Sequence, residues 1–144
     1  MSNKWTIGKK LVVSFLGVAA ITLLLGIVGY YGAAKGNEAV TEVGTVRLPS
    51  IESLLVMSEA QTAVDSAENA LLSRDIDLKT RQDAYDRIAG AYKRADDAWK
   101  VYEPLPQTVE EAATWKDFVP AWEAWKKSDA AFTALSNEYD KTVE

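Results

Sequence analysis

The chain begins with one long apolar stretch. No charged residue occurs between Leu11 and Ala34, a run of 24 positions. A helix rises about 1.5 Å per residue, so about 20 apolar residues cross the hydrocarbon core of a bilayer. The pattern therefore predicts a transmembrane helix over residues 11–31. Tyr30 and Tyr31 at its end suit the headgroup interface, where a tyrosine ring lies in the apolar zone and its hydroxyl in water.

A cleaved signal peptide is the main alternative for this run, and a buried helix of a soluble protein is the weaker one. Signal peptides have an apolar core of about 7–15 residues, followed by a cleavage site with small residues. The present run is longer and ends in Gly29-Tyr30-Tyr31-Gly32, so we predict an uncleaved anchor. Gly32 and Gly36 have the spacing that lets two membrane helices approach closely, although glycine is common in such helices anyway.

Two later segments carry heptad seams, in which apolar residues recur every three and four positions. The middle seam comprises Leu78, Tyr85, Ile88, Tyr92, Ala95, Trp99 and Tyr102. The third seam comprises Trp115, Phe118, Trp122, Trp125, Phe132 and Tyr139. Arg81 interrupts the middle seam, and Asp129 and Ser136 occupy positions of the third, where we expect Ala130 and Leu135 to take up part of the packing. Both patterns predict amphipathic helices.

Capping residues and prolines indicate where these helices begin and bend. Asp75 or Asp77 is predicted to cap the middle helix, because its carboxylate accepts from free backbone N–H groups. Thr108 and Glu111 match a capping box at the start of the third helix. Pro120 lies inside that helix and should bend it, because proline lacks an N–H.

The first segment after the apolar run is less regular. Its seam comprises Leu54, Met57, Gln61, Val64, Glu68 and Leu71, of which two are polar. We predict a helix from the membrane to about residue 47 and a second helix to about residue 72. Between them we expect a kink at Leu48-Pro49, since the residue before a proline avoids the helical region.

These elements predict an all-α protein, in which an N-terminal transmembrane helix continues into an antiparallel bundle of three helices. Three seams leave a fourth side open, and the third helix is still amphipathic at Glu144. We therefore expect a missing fourth helix, in a chain that is a fragment of a longer protein, or pairing with another chain.

The distribution of charge orients the chain in the membrane. Lys4, Lys9 and Lys10 precede the apolar run, and all 21 acidic residues lie at or beyond Glu38. By the positive-inside rule, residues 1–10 stay in the cytoplasm and the domain after the run lies outside it. The acidic balance argues against nucleic acid as a partner, because phosphates require a basic surface.

The chain has no cysteine and no histidine. Their absence excludes disulfides, thiol chemistry and histidine acid–base catalysis, and it removes the usual ligands of zinc. The sequence also has no nucleotide-binding loop and no nucleophile constellation. We therefore expect no metal, no cofactor and no enzymatic activity.

Several short motifs combine with the lysine-flanked anchor into a recognisable layout. They are Arg47-Leu48-Pro49-Ser50-Ile51, Trp99-x-x-Tyr102, Thr108-x-x-Glu111, Trp115-x-x-Phe118 and Trp122-x-x-Trp125. The layout resembles the N-terminal part of a bacterial methyl-accepting chemotaxis protein with a four-helix-bundle sensor domain. The resemblance implies a homodimer in the inner membrane, with residues 32–144 forming a truncated periplasmic sensor domain. It also implies that coupling to a chemotaxis kinase passes through a second transmembrane helix, a HAMP linker and a cytoplasmic region that this sequence lacks.

The resemblance further implies a small, anionic ligand, such as an amino acid or a carboxylate, bound between helices. Arginine suits such a ligand, because its guanidinium pairs a carboxylate through two parallel hydrogen bonds. Arg81 is the first candidate, since it interrupts a seam, and Arg47 and Gln61 are the others. The alternatives are that Arg81 pairs with an acidic neighbour, that Arg47 lies at a surface, and that Gln61 sets the helix register. Arg74 in the hairpin is expected to be solvated.

We therefore predict a membrane-bound chemoreceptor module that detects a small periplasmic or extracellular ligand. The tryptophans are expected to pack in the core rather than to form an aromatic cage. Two alternatives stay open: the sensor half of a histidine kinase or a diguanylate cyclase, and a non-sensory helical scaffold tethered to the membrane. A seam without a pocket near Arg81, Gln61 or Asp129 would favour the scaffold.

Overall fold

The computed structural model describes residues 6–143, and all regular structure in that range is helical. The elements are α1 (Ile7–Glu42), a π-helical turn (Val43–Arg47), α2 (Leu48–Leu71), α3 (Leu78–Tyr102) and α4 (Val109–Val143). This confirms the predicted all-α class, with one long apolar N-terminal helix and three bundle helices. Lys4, which belongs to the predicted basic flank, lies outside the described residues.

The chain divides into two compact units, of which the first ends at Thr45 and the second begins at Val46. In the first unit, α1 buries none of its residues, and large apolar side chains such as Phe15, Leu16 and Leu25 are exposed. Within the described residues, one helical stretch, which begins at Ile7, is long and apolar enough to cross a membrane, judged by length and composition.

The predicted kink at Leu48-Pro49 coincides with a change of helix type. Pro49 lies in the first turn of α2, directly after the π-helical turn. Because proline has no N–H to donate to the carbonyl four residues earlier, the hydrogen-bond register changes here while the chain stays helical. Pro120 likewise lies inside α4, which continues through it as one helix.

In the second unit, α2 and α3 form a hairpin with a seam of small side chains. The buried alanines of this seam are Ala60, Ala67, Ala84, Ala91, Ala95 and Ala98. Because alanine has only a Cβ atom, the two backbones come close together. Close approaches between the Cα atoms of different helices accordingly occur chiefly between α2 and α3.

The core of α2 differs in part from the seam that the sequence predicts. Met57, Val64 and Leu71 are buried as expected. Gln61, in contrast, is exposed, and so is Leu54. The other buried positions of α2 are Ser50, Ser53, Ala60 and Ala67, whose side chains are smaller. The prediction failed at Gln61 and Leu54 because it followed large side chains at heptad spacing, whereas close helix packing selects small ones.

The third seam is confirmed on α4 except at Tyr139, which is exposed. Trp122, Asp129 and Ser136 are buried there. The half-buried members are Trp115, Phe118, Trp125 and Phe132. Ala130 and Leu135 are exposed, so the expectation that they pack in this seam is wrong for the described chain.

Both predicted helix caps are confirmed, and each fixes where a bundle helix begins. The Asp77 carboxylate accepts from the backbone N–H of Thr80 at 2.7 Å, which caps α3. The backbone N–H of Thr108 donates to Glu111 Oε2 at 2.7 Å, and the backbone N–H of Glu111 donates to Thr108 Oγ1 at 3.2 Å. These bonds satisfy N–H groups that have no partner within the helix.

Candidate functional site

Arg81 is the centre of a polar cluster at the end of the bundle where α2 turns into α3. The Asp77 cap starts α3 one turn before Arg81, and Arg81 is only 3% exposed. Its Nη1 group donates to the backbone carbonyls of Leu71 at 2.9 Å and of Ser73 at 3.4 Å. The guanidinium therefore holds the last turn of α2 and the start of the hairpin.

The same guanidinium also binds α4. Its Nε donates to the Asp140 carboxylate, and its Nη2 donates to Ser136 Oγ at 2.8 Å. The Tyr85 hydroxyl lies 2.8 Å from Ser136 Oγ and donates to Asp140 Oδ2 at 2.7 Å. Burial raises the pKa of the Tyr85 phenol, so it stays a proton donor at neutral pH. Arg81 thus connects all three helices of the second unit.

A groove of about 330 Å³ opens beside this cluster. Its walls are mostly apolar, and its charged groups are two arginines. The lining residues are Leu71, Leu72, Arg74, Arg81, Phe132, Leu135, Ser136 and Tyr139. The Tyr139 ring lies 5.3 Å from the guanidinium carbon of Arg81. Apolar walls with two cations suit a small anion that carries an apolar part.

Arg47 lies at the other end of the second unit. Its Nη1 donates to Glu111 Oε2 at 3.2 Å and to Oε1 at 3.4 Å, so it joins the π-helical turn to the start of α4. Hydrogen bonds with Thr108 lower the pKa of Glu111, and the charge of Arg47 lowers it further. Both side chains of this ion pair are more than a third exposed, so solvent screens the attraction between their charges.

The three residues predicted to bind ligand do not meet in one place. Arg47 and Leu71, whose carbonyl Arg81 binds, are separated by about 36 Å along the helix, at about 1.5 Å per residue. Gln61 lies between them on α2, with an exposed side chain. Arg81 alone of the three lines a groove with apolar walls. The ligand-binding role of each residue stays a prediction.

A second polar cluster lies between the last turn of α2 and the middles of α3 and α4. Asp129 on α4 is 4% exposed, and the Tyr92 hydroxyl on α3 donates to its Oδ2 at 2.5 Å. Glu68 on α2 is half-buried, and its carboxyl lies close enough to Asp129 for the charge of Asp129 to act on it. Within the described chain, Asp129 Oδ1 and the buried Thr133 Oγ1 have no hydrogen-bond partner.

The pKa values in this second cluster are shifted upward. Burial raises the pKa of Glu68 to about 7, and the hydrogen bond and charge of Asp129 and the charge of Asp65 act in the same direction. Burial also raises the pKa of the Tyr92 phenol, again helped by its hydrogen bond to Asp129. Glu68 therefore titrates close to neutral pH, far above an ordinary glutamate.

The sequence contains a signal for most residues of these two clusters. Asp129 and Ser136 interrupt the third seam, and Glu68 interrupts the first, so polar residues at seam positions mark both places. Asp140 carries no such signal, because it lies beside the seam. Its role depends on the way the last turns of α4 approach α3.

The aromatic side chains form a packed row rather than a cage. The ring centroids of Trp99 and Trp115 lie 4.4 Å apart, and those of Trp122 and Trp125 lie 4.8 Å apart. Since these rings contact one another, they leave no enclosed space for a cation between them.

A family model described as a four helix bundle sensory module for signal transduction matches residues 4–143. No curated protein and no solved structure matches the chain significantly.

Proposed function

Because the chain belongs to the family of four-helix-bundle sensory modules of methyl-accepting chemotaxis proteins, we propose that it is the ligand-detecting part of a membrane-bound chemoreceptor. The family predicted from the sequence is thereby established, and the family's role is sensory signal transduction rather than catalysis. The family match over residues 4–143 is the observation that carries the proposal. We propose in addition a membrane location, a ligand class, a binding site and an output for this chain.

The first unit supports a location in the membrane. A charge-free run of 24 residues coincides with α1, whose side chains are exposed throughout. Such a density of exposed apolar groups is stable in lipid and unfavourable in water. We propose residues 11–31 as the span, with Lys9 and Lys10 on the cytoplasmic side of a bacterial inner membrane and residues 32–144 as the periplasmic sensor domain. A homodimer is the proposed assembly.

The groove beside Arg81 is the proposed ligand site. It offers two guanidinium groups and apolar walls, which suit an amino acid or a small carboxylate. Arg74 is exposed and is the first of the two arginines that an incoming anion contacts. Arg81 is buried and already donates a hydrogen bond to the Asp140 carboxylate. A ligand carboxylate that reaches Arg81 therefore competes with Asp140. The presence of this groove also disfavours the alternative of a scaffold without a pocket.

That competition supplies a mechanism for signalling. Arg81 connects the end of α2 to α4, so weakening its bond to Asp140 loosens α4 relative to the α2–α3 hairpin. A ligand shifts the population of helix arrangements only as far as it binds one of them better. Coupling energies of about 1–3 kcal/mol are typical, which small helix displacements can supply.

Ligand binding to the full chain in lipid nanodiscs tests the proposal. Amino acids and dicarboxylates are added one at a time while the thermal unfolding midpoint is followed. At least one of them should raise the midpoint, and calorimetry should give a matching dissociation constant. If no member of the set shifts the midpoint of a chain that is helical by circular dichroism, the proposed ligand class is wrong.

Two arginine variants locate the site. Arg74→Gln removes the exposed cation of the groove and should weaken binding at least tenfold. Arg87→Gln removes an exposed arginine of α3 outside the groove and should leave the affinity unchanged. Equal losses in the two variants would place the ligand elsewhere.

The output is tested separately. Fusing the chain to the second transmembrane helix, HAMP linker and cytoplasmic region of a chemoreceptor should give ligand-dependent control of the chemotaxis kinase. Output from a fusion to a histidine kinase or a diguanylate cyclase, but not from the receptor fusion, would favour those alternatives.

A further inference from the structure

A second groove, of about 340 Å³, opens at the end of the bundle where α4 begins. Its apolar walls come from three helices: Leu54 of α2, Tyr102 of α3, and Trp115 and Phe118 of α4. The ring centroids of Tyr102 and Trp115 lie 4.5 Å apart, and those of Trp115 and Phe118 lie 5.2 Å apart. The groove thus borders the aromatic row from outside, and a ligand in it does not have to enter between the stacked rings.

The charged groups of this groove are acidic, in contrast to the arginines beside the first groove. Glu110 and Glu111, both in the first turn of α4, line it, and no lysine or arginine of the described chain does. Hydrogen bonding to the Thr108 backbone holds the pKa of Glu111 below its usual range, so Glu111 is ionised at neutral pH. Arg47 already pairs with Glu111 at 3.2 Å. Glu110, in contrast, is exposed and forms no ion pair within residues 6–143.

The Tyr102 hydroxyl is a polar group at this groove without a partner in the bundle. Tyr102 is 5% exposed and lines the groove, and its hydroxyl forms no hydrogen bond within the described residues. Burial raises the pKa of this phenol, and the charge of Glu111 raises it further, so the hydroxyl stays neutral at neutral pH. Because an unbonded hydroxyl on so buried a residue costs free energy, a ligand that bonds to it gains affinity.

An ammonium group matches these features, because it has three N–H donors and a positive charge that is attracted to carboxylates and to aromatic rings. We infer that this groove binds a small organic cation, namely a primary ammonium compound with an apolar body. The ammonium group donates to Glu110 and to the Tyr102 hydroxyl, and the apolar body packs against Leu54 and Phe118. This second site goes beyond the proposed function, since neither its ligand nor its location depends on the groove beside Arg81.

The same features disfavour other occupants. Glu110 and Glu111 are adjacent on a helix and point in different directions, and the described residues contain no group of three or more acidic side chains arranged to hold a metal ion. An apolar helix from a second copy of the chain would bury Glu110 without a partner, which costs free energy. The volume is at the lower end of the range for ligand pockets, so it suits one ring with a short chain.

Thiol labelling of the full chain in lipid nanodiscs tests the location. The chain has no cysteine, so Thr114→Cys introduces a single thiol into the groove, and Ala113→Cys introduces an exposed thiol next to it but outside the groove. Phenethylammonium should slow the reaction of maleimide with Thr114→Cys severalfold and leave Ala113→Cys unchanged. The anion 3-phenylpropionate, which carries the same ring, should protect neither thiol.

Calorimetry with phenethylammonium tests the contacts. Glu110→Gln keeps the size of the side chain and removes its charge, so it should weaken binding about tenfold. Glu138→Gln changes an exposed glutamate of α4 outside the groove and should leave the affinity unchanged. Tyr102→Phe keeps the ring and removes the hydroxyl, so it should weaken binding about fivefold.

Three results overturn the inference. The first is an affinity for phenethylammonium that is the same in Glu110→Gln and in the wild type. The second is a Thr114→Cys thiol that is protected before any probe is added, because another helix then covers the groove; disulfide-linked dimers of this variant would identify that helix as part of a second copy. The third is equal protection of the two thiols by phenethylammonium, which would indicate unspecific binding.

The Arg74→Gln variant separates this inference from the proposed ligand site. That variant should lose carboxylate binding at the first groove and keep phenethylammonium binding at the second. Carboxylate binding in a chain that binds no phenethylammonium overturns the second site alone. Phenethylammonium binding in a chain that binds no carboxylate or amino acid contradicts the proposed ligand class and leaves the second site standing.

Discussion

The α2–α3 and α3–α4 interfaces of the bundle contain different kinds of side chain. Between α2 and α3, small alanine side chains bring the backbones close together. Between α3 and α4 the space is filled by stacked aromatic rings and by polar bonds that centre on Arg81 and Asp129. The α2–α3 hairpin is therefore held by close backbone packing, whereas α4 is held by aromatic and polar contacts, among them the Arg81–Asp140 pair with which the proposed ligand competes.

This difference has a physical cause. An alanine contact has one arrangement, because any change of register forces methyl groups against the facing backbone. Aromatic rings and charged side chains have several arrangements of similar energy, and their bonds depend on protonation and on competing anions. In the proposed signalling mechanism, α4 is accordingly the helix that shifts relative to the α2–α3 hairpin.

The largest expected effect comes from removing the aromatic filling of the α3–α4 interface. Trp122 is 4% exposed and contacts Trp99, Phe118 and Trp125. Trp122→Ala should reduce the free energy of unfolding by about 4 kcal/mol, since the facing helices cannot close the cavity fully. Chemical denaturation measures this loss, and Trp122→Phe should lose much less. A small loss for Trp122→Ala would mean that α4 contributes little to stability.

The next effect concerns the polar bonds of the same interface. Asp140→Ala leaves the buried Arg81 guanidinium without its carboxylate and should lower the free energy of unfolding by about 3 kcal/mol. The matched control is Asp117→Ala, which removes an exposed aspartate of α4 that forms no ion pair within the described residues. Urea denaturation of both variants checks the difference. Equal effects would show that Arg81 is satisfied without Asp140.

Overpacking the alanine seam tests whether the α2–α3 interface is the more rigid of the two. Ala91 is fully buried, whereas Ala89 on the same helix is exposed. Ala91→Leu should destabilise the chain by about 2 kcal/mol, because the close backbones have no room for the larger side chain. Ala89→Leu should be nearly neutral in the same thermal-unfolding measurement. If Ala91→Leu is tolerated equally well, the α2–α3 interface is not the rigid one.

The smallest effect concerns the cap that positions Arg81. Asp77→Ala removes the hydrogen bond to Thr80 and should lower the unfolding midpoint slightly. Backbone hydrogen bonding lowers the pKa of Asp77 below 3.8, so its stabilisation is complete above that pH and is lost as the pH falls further. Thermal melting of wild type and variant should therefore differ at neutral pH and converge in strong acid. A difference that stays constant down to strong acid would contradict a charged cap.

Much of this architecture was predictable because it depends on local chemistry. The apolar run of α1, the two caps and the aromatic seam of α4 are each encoded by neighbouring residues at fixed spacing. The core of α2 was predicted only in half, because alanine gives a weak hydrophobic signal. In close helix packing, however, its small size is what selects it. Arg81 was singled out correctly as a seam interruption, but its partner Asp140 was not.

The sequence by itself determined that this protein is helical, that its N-terminal run suits a membrane and that polar residues interrupt its seams. Only the tertiary structure decided which of those residues meet. Arg81 with Asp140 and Glu68 with Asp129 come from helices far apart in the chain, and heptad spacing assigns each residue to a face without assigning the face to a partner. Their burial together, which depends on the packing of three helices, is what shifts the Glu68 pKa toward neutrality and places Arg81 beside a groove.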